Sequence, residues 1–155
     1  RTHPGRPGAM TPLVVDSSVV VKWFVQEPYS AQARLILGDY QAGKCVFLAP
    51  DHLYAELGNI VWKKHTLRDL PAADAERVII AFRKLAFQLT STADLLEEAY
   101  ALAITHRRTV YDMLYVALSI RERCSFVTAD EKLANALDAS MSNVIWLGSW
   151  IQSPD

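Results

Sequence analysis

Cysteine is scarce in this 155-residue chain: Cys45 and Cys124 are its only two, and they form no Cys-x-x-Cys pair. That excludes a disulfide scaffold and a thiolate zinc site, and it points to a reducing compartment. Long apolar runs are missing too. None approaches the ~20 residues of a membrane-spanning helix, and no signal peptide follows Met10. A cytoplasmic protein with no membrane partner is expected. There is no basic excess either, with 16 Lys and Arg against 17 Asp and Glu. Residues 1–9, RTHPGRPGA, carry no periodic apolar pattern and read as an expression remnant ahead of a native start at Met10. Without Arg1 and Arg6, 14 basic residues face 17 acidic ones, a net charge of −3. A bulk electrostatic nucleic-acid binder shows the opposite balance.

Several catalytic signatures are absent as well. His52, His65 and His106 make no His-x-His or His-Glu-x-x-His set, which argues against a zinc hydrolase. No Gly-x-Ser-x-Gly surrounds Ser17 or Ser18. Gly43-Lys44 is followed by Cys45 where a P-loop needs Ser or Thr, and no Gly-x-Gly-x-x-Gly follows Val15.

What is present is an ordinary globular balance, 51% hydrophobic and 21% charged. The length suits one domain, taken as 10–150, followed by a tail at 151–155. Short continuous apolar runs at Leu13–Val15, Val46–Leu48, Ser125–Thr128 and Asn143–Trp146 predict strands covered on both faces. Phe87–Leu89 is a weaker candidate. Helical patterns fill Tyr29–Tyr40, Leu53–Lys64, Pro71–Leu85, Ala93–His106, Tyr111–Arg123 and Glu131–Ala139, and Asp16 is placed to cap a further helix starting near Ser18. Strands alternating with helices predict an α/β fold: a three-layer α/β/α sandwich on a mainly parallel sheet. In such sheets ligands bind beyond the carboxyl ends of the strands.

Four carboxylates fall where that rule looks. Asp16 and Asp130 follow strands, Glu56 sits at the margin of an apolar helical stripe, and Asp112 opens an almost wholly apolar helix. Each has a structural alternative. Asp16 reads equally as a helix cap; Glu56 as a side chain reaching out beside Lys63 or Lys64; Asp112 and Asp130 as members of the capping boxes Thr109–Asp112 and Thr128–Glu131. Together they say more, because 40, 56 and 18 residues separate them in turn, the lengths of whole strand–helix units. Two carboxylates about 5 Å apart repel by roughly 3 kcal/mol at an effective dielectric of ~20. A cluster of them persists only with protons or cations, and hard oxygen donors select Mg²⁺ or Mn²⁺.

At these residues the sequence resembles the PIN-domain nucleases, in particular the VapC-type toxins of prokaryotic toxin–antitoxin pairs. The likeness runs through Leu-Val-Val-Asp16-Ser-Ser-Val-Val-Val-Lys-Trp-Phe and Leu-Ala-Pro-Asp-His-Leu-Tyr-Ala-Glu56-Leu-Gly-Asn-Ile-Val. It continues in Thr-Val-Tyr-Asp112-Met-Leu-Tyr-Val-Ala-Leu-Ser and Phe-Val-Thr-Ala-Asp130-Glu-Lys-Leu, and spans about Leu13 to Trp146. It implies a Mg²⁺-dependent phosphodiesterase acting on RNA. Asp16, Glu56, Asp112 and Asp130 would form its acidic quartet, with Asp16 and Asp112 as direct ligands. Thr128 and Ser17 match hydroxyl positions near the metal, and Asn59 is placed to orient the site or simply to face solvent. The family also implies a homodimer and a cognate antitoxin that lays a C-terminal segment across the acidic groove.

Phosphate would need positive partners, for which Lys22, Lys63, Lys64, Arg68, Arg107 and Arg108 are candidates. Trp23 and Tyr115 offer base-stacking surfaces or core packing, while Trp146 and Trp150 read as core or interface anchors. Two rivals remain at this level. A phosphatase using Asp16 as nucleophile wants a second Asp two residues on, where Ser18 stands. A module that binds RNA or protein without cutting it does not need the four acids.

Overall fold

The computed structural model describes residues 9–151; residues 1–8 and 152–155, with most of the expected N-terminal remnant and C-terminal tail, lie outside the described residues. The chain runs β1 (Thr11–Val15), α1 (Ser17–Phe24), α2 (Ser30–Gln41), β2 (Cys45–Pro50), α3 (Leu53–Arg68), α4 (Ala72–Arg83) and β3 (Phe87–Thr90). It continues through α5 (Thr92–His106), α6 (Val110–Arg121), β4 (Ser125–Thr128), α7 (Glu131–Leu137) and β5 (Val144–Trp146), ending in a 3-10 turn at Leu147–Ser149. The five strands form one sheet in the order β3-β2-β1-β4-β5, and every neighbouring pair is parallel. The three-layer α/β/α expectation holds, with a sheet parallel throughout.

The strand order places the site. From β1 the chain steps outward to β2 and β3, then crosses back over to β4 and β5 on the other side of β1. Right-handed crossovers send the helices of opposite steps to opposite faces of the sheet. The packing follows: α1 lies against α2 and α3, and α3 against α4, while α5 pairs with α6. The direction reverses between β1 and β4, which opens a crevice at their carboxyl ends. Asp16 and Asp130 stand just past those two ends.

Val14, Val15, Phe47, Ala49, Phe126 and Val127 are fully buried, as strands sandwiched between helices must be. Trp23 stacks on Phe47, which also stacks on Tyr40 and Phe87, and its indole N–H donates to Ala33 O at 2.8 Å. Seven consecutive residues of α6, Met113 to Ser119, are buried, so the middle of this helix is enclosed all round.

The element ends differ from expectation in instructive ways. α1 carries three consecutive valines, a composition that favours strand, yet the Asp16 carboxylate accepts from Val19 N and turns the chain into helix. α3 runs on to Arg68, where Asp69 in the left-handed region closes it. Phe87–Leu89, the weak candidate, extends to Thr90 and is a full edge strand in register with β2.

Candidate active site

Asp16 is 7% exposed, and both of its oxygens are engaged. Ser18 Oγ donates to Oδ1 at 2.5 Å and Thr128 Oγ1 donates to Oδ2 at 2.6 Å. Each hydroxyl also accepts from the chain after β4: Ala129 N donates to Ser18 Oγ at 2.9 Å, and Asp130 N to Thr128 Oγ1 at 3.1 Å. The ends of β1 and β4 are thus sewn together around one carboxylate. Burial pushes the Asp16 pKa up to about 6, against the pull of Ser18, Thr128 and Val19; the Asp112 charge adds to the rise.

Asp112 lies in the first turn of α6, where Thr109 Oγ1 accepts from its backbone N–H at 3.1 Å. The half-buried carboxyl titrates above its usual range, first through burial and then through the charges of Asp130 and Glu56; Arg108 opposes the rise. Asp130 caps α7, its Oδ1 accepting from Leu133 N at 3.1 Å, and remains exposed. Glu56, in the first turn of α3, turns away from Lys63 and Lys64. Its Oε1 accepts from Tyr115 Oη at 2.7 Å and from Ser17 Oγ at 3.3 Å, and its Oε2 lies 3.6 Å from His52 Nε2.

The four acids are thus electrostatic neighbours: Asp112 adds to the rise of Asp16, and after burial Asp130 and Glu56 add to that of Asp112. They also cap helices: Asp16 and Asp130 are N-caps, and Asp112 belongs to a capped first turn; the expected box Thr128–Glu131 does not form, because Asp130 is the cap and the Thr128 hydroxyl is turned to Asp16. Among the described residues no three His, Cys, Asp or Glu side chains stand close enough to form a ready-made metal cage. Magnesium does not demand one, since it keeps several waters and binds through one or two carboxylates. Oxygen donors whose carboxyls raise one another's pKa fit such a cation, which would relieve their repulsion.

The other predicted residues divide. Thr128 and Ser17 touch the acids; Asn59 is exposed on α3, and the partners of Glu56 are Ser17, Tyr115 and His52 instead. Lys22 and Lys64 both bind Glu27, whose carboxyl burial would raise but whose two lysine partners hold below its usual range. Arg108 donates to Lys132 O at 2.7 Å and is the positive charge that acts on Asp112. Lys63, Arg68 and Arg107 are exposed.

Trp23 and Tyr115 are core residues and present no ring to a base. Tyr115 instead reaches Glu56 through its hydroxyl, whose ionisation is strongly opposed by burial and by the charges of Glu56 and Asp16. Ser18 and His52 were not expected at the site, and Tyr115 enters it through its hydroxyl rather than as a stacking ring. Ser18 lies two residues after a strand-end Asp, the offset of a local side-chain turn, and Tyr115 lies one helical turn beyond Asp112; both spacings are visible in sequence.

Residues 13–137 match the family model described as PIN domain. The chain belongs to the PIN-domain family. Over 130 residues, 82% of this chain and 95% of the relative, the PIN domain is 34% identical to Ribonuclease VapC3 of Pyrobaculum aerophilum. Its fold is similar to the crystal structure of PAE2754 from the same organism, with TM-score 0.65 and 21% identity over 92% of this chain and 89% of that one. It is also similar to VapC20 of Mycobacterium tuberculosis, described as a sarcin-ricin loop cleaving toxin, at TM-score 0.59 and 13% identity. That likeness covers 83% of this PIN domain and 95% of VapC20. A third similar structure is VapBC2 of Rickettsia felis bound to a promoter DNA fragment, at TM-score 0.57 and 17% identity over 88% and 97% of the two chains.

Proposed function

We propose that this PIN domain is a VapC-type endoribonuclease that hydrolyses RNA phosphodiester bonds with Mg²⁺, or Mn²⁺ as a substitute. The observation that carries the reading is the hydrogen-bonded cluster at the β1–β4 reversal, where Ser18 and Thr128 hold Asp16, Asp130 N donates to Thr128, and Ser17 beside Asp16 reaches Glu56. The relationship to a protein named Ribonuclease VapC3 supports the substrate class.

In this reading Asp16 and Asp112 hold the cation, and Glu56 and Asp130 complete the charge around it. A bound divalent cation supplies a water of lowered pKa and neutralises phosphate charge that the acids would repel. Thr128 and Ser18 keep the Asp16 carboxylate in one orientation, so it does not have to reorganise when substrate arrives. Arg108, beside Asp112, is the cation of this chain best placed to meet a phosphate. Hydrolysis in this sense expels the ribose 3′-oxygen, leaves a 5′-phosphate and does not use the 2′-hydroxyl. An RNA carrying 2′-deoxy at the cleaved nucleotide should therefore still be cut, whereas complete protection would point to attack by the 2′-oxygen.

The decisive experiment is cleavage of RNA by purified protein with Mg²⁺, with EDTA, and with Asp16→Asn or Asp112→Asn. Cleavage is expected only with metal and is lost in both variants. Unchanged cleavage in both removes the site assignment, and no cleavage by the parent protein favours a non-catalytic binding module. A cognate antitoxin belongs to the same proposal, supported by the similar VapBC2 structure and by an acidic crevice suited to a basic segment. So does a homodimer. The surface offered for it is the stripe of Leu96, Tyr100 and Ile104 exposed on α5.

A further inference from the structure

Glu56 differs from Asp16 and Asp130 in how it is held. Those two are N-caps whose carboxylates accept from Val19 N and Leu133 N. Glu56 projects from α3 on a longer side chain, and among the described residues its carboxylate is met by side chains. Its fixed point is Tyr115, whose hydroxyl donates to Oε1 at 2.7 Å. The donor is rigid for a packing reason: the Tyr115 ring stacks parallel on Phe126, 5.7 Å between centroids and 7° between planes, and lies 4.9 Å from the His52 ring. Phe126 belongs to β4, so the hydroxyl is referenced to the same strand that ends at Thr128 and leads into Asp130. Ser17 supplies a second, longer donor to the same oxygen. Oε1 is thereby occupied by two neutral donors, and Oε2 is the oxygen left with acceptor capacity; His52 Nε2, 3.6 Å from it, is also 3.2 Å from Tyr111 O.

We propose that Tyr115 is a positioning residue for the acidic site: its hydroxyl, anchored through the ring on Phe126, fixes Glu56 so that Oε2 is presented for binding of a divalent cation. This rests on the metal-dependent reading above. Outer partners of metal-binding side chains typically account for 10- to 100-fold in affinity. Tyr115 does so here by removing the rotamer freedom of a glutamate that would otherwise sample solvent.

The test uses Tyr115→Phe, which keeps the ring and its stack, in the full chain stripped of metal. Mn²⁺ binding is followed by the loss of the free-ion electron paramagnetic resonance signal, independently of any nuclease activity. The variant is expected to melt within a few degrees of the parent and to need about tenfold more Mn²⁺ for half-saturation. In a Glu56→Gln background the same substitution should change half-saturation less than twofold, because the group it positions is gone. A Tyr115→Phe titration that superimposes on the parent overturns the proposal, as does a tenfold loss that persists undiminished with Glu56→Gln. A parent protein that cleaves RNA with Mg²⁺ while Tyr115→Phe binds Mn²⁺ normally removes Tyr115 alone. A parent that takes up no Mn²⁺ removes the metal-site reading together with it.

Discussion

A buried carboxylate with two hydroxyl donors can be a stabilising cap or a strained functional group, and for Asp16 the titration direction separates these. Its pKa is raised from 3.8 to about 6, so the folded state holds the proton more tightly than the unfolded chain. Stability from this group is full below the unfolded value and is lost as pH rises through about 6. A rise of roughly two units corresponds to about 3 kcal/mol. In EDTA, denaturant unfolding should therefore show the Asp16 contribution to stability falling between about pH 4 and pH 6.5. Asp16→Asn should flatten that fall, and be more stable than the parent at pH 7.5 while inactive as a nuclease. A metal-free parent whose stability is unaffected by the substitution at pH 7.5 would mean that the donors around Asp16 fully offset its burial. Added Mg²⁺ should stabilise the parent at pH 7.5 and leave the Asn variant unmoved, since a cation that binds only the folded acids stabilises by mass action.

The acids were legible one by one because strand ends and capped first turns are written in local sequence; how they are oriented was not. Leu13–Val15 followed by Asp16 reads directly as strand then cap, and Thr109–Asp112 reads as a capping box. The structure has the cap at Asp16 and the Thr109 half of the box, where Thr109 Oγ1 accepts from Asp112 N. What local pattern does not contain is the pairing across 59 residues that brings Tyr115 to Glu56, or across 112 that brings Thr128 to Asp16. The same limit explains why Trp23 and Tyr115 invite a base-stacking reading: an aromatic on an apolar face looks alike in sequence whether its neighbour is Phe47, Phe126 or a nucleobase. The Phe87 strand was faint because it lies at the sheet edge and is only partly buried, which removes the continuous apolar run that marks an inner strand. The capped turn of α6 gives a direct check. Thr109→Ala removes the acceptor for Asp112 N and should cost about 1 kcal/mol in unfolding free energy. It should also lower cleavage at saturating RNA, because the turn that carries Asp112 loosens. Thr109→Ser should restore both, and a Ser variant no better than Ala would dissociate the cap from the site.

Charge and apolar surface are distributed unequally over the protein, and the two inequalities suit different partners. The crevice end collects carboxylates, while the pair Lys22 and Lys64 is held by Glu27 and so adds little free positive potential. An incoming polyanion therefore depends on Arg108 and a cation, whereas a basic peptide needs neither. Away from this end, α5 leaves Leu96 at 52%, Tyr100 at 58% and Ile104 at 64% exposure. Three apolar side chains at four-residue spacing form a continuous stripe, and a monomer gains nothing by keeping such a stripe in water. Burying it against a second copy removes apolar area from both chains at once, at roughly 25 cal/mol per Å² before the entropic cost of association. Tyr100→Glu combined with Ile104→Glu places like charges against each other across any two-fold pairing of these stripes. Light scattering after size exclusion should then find a dimer for the parent and a monomer for the double variant at the same concentration. Because the acidic crevice lies at the carboxyl ends of β1 and β4 and draws no residue from this stripe, the monomeric variant should retain Mg²⁺-dependent cleavage. A dimer that survives both charges would place the contact between copies elsewhere, and cleavage lost together with the dimer would mean that the second copy completes the site.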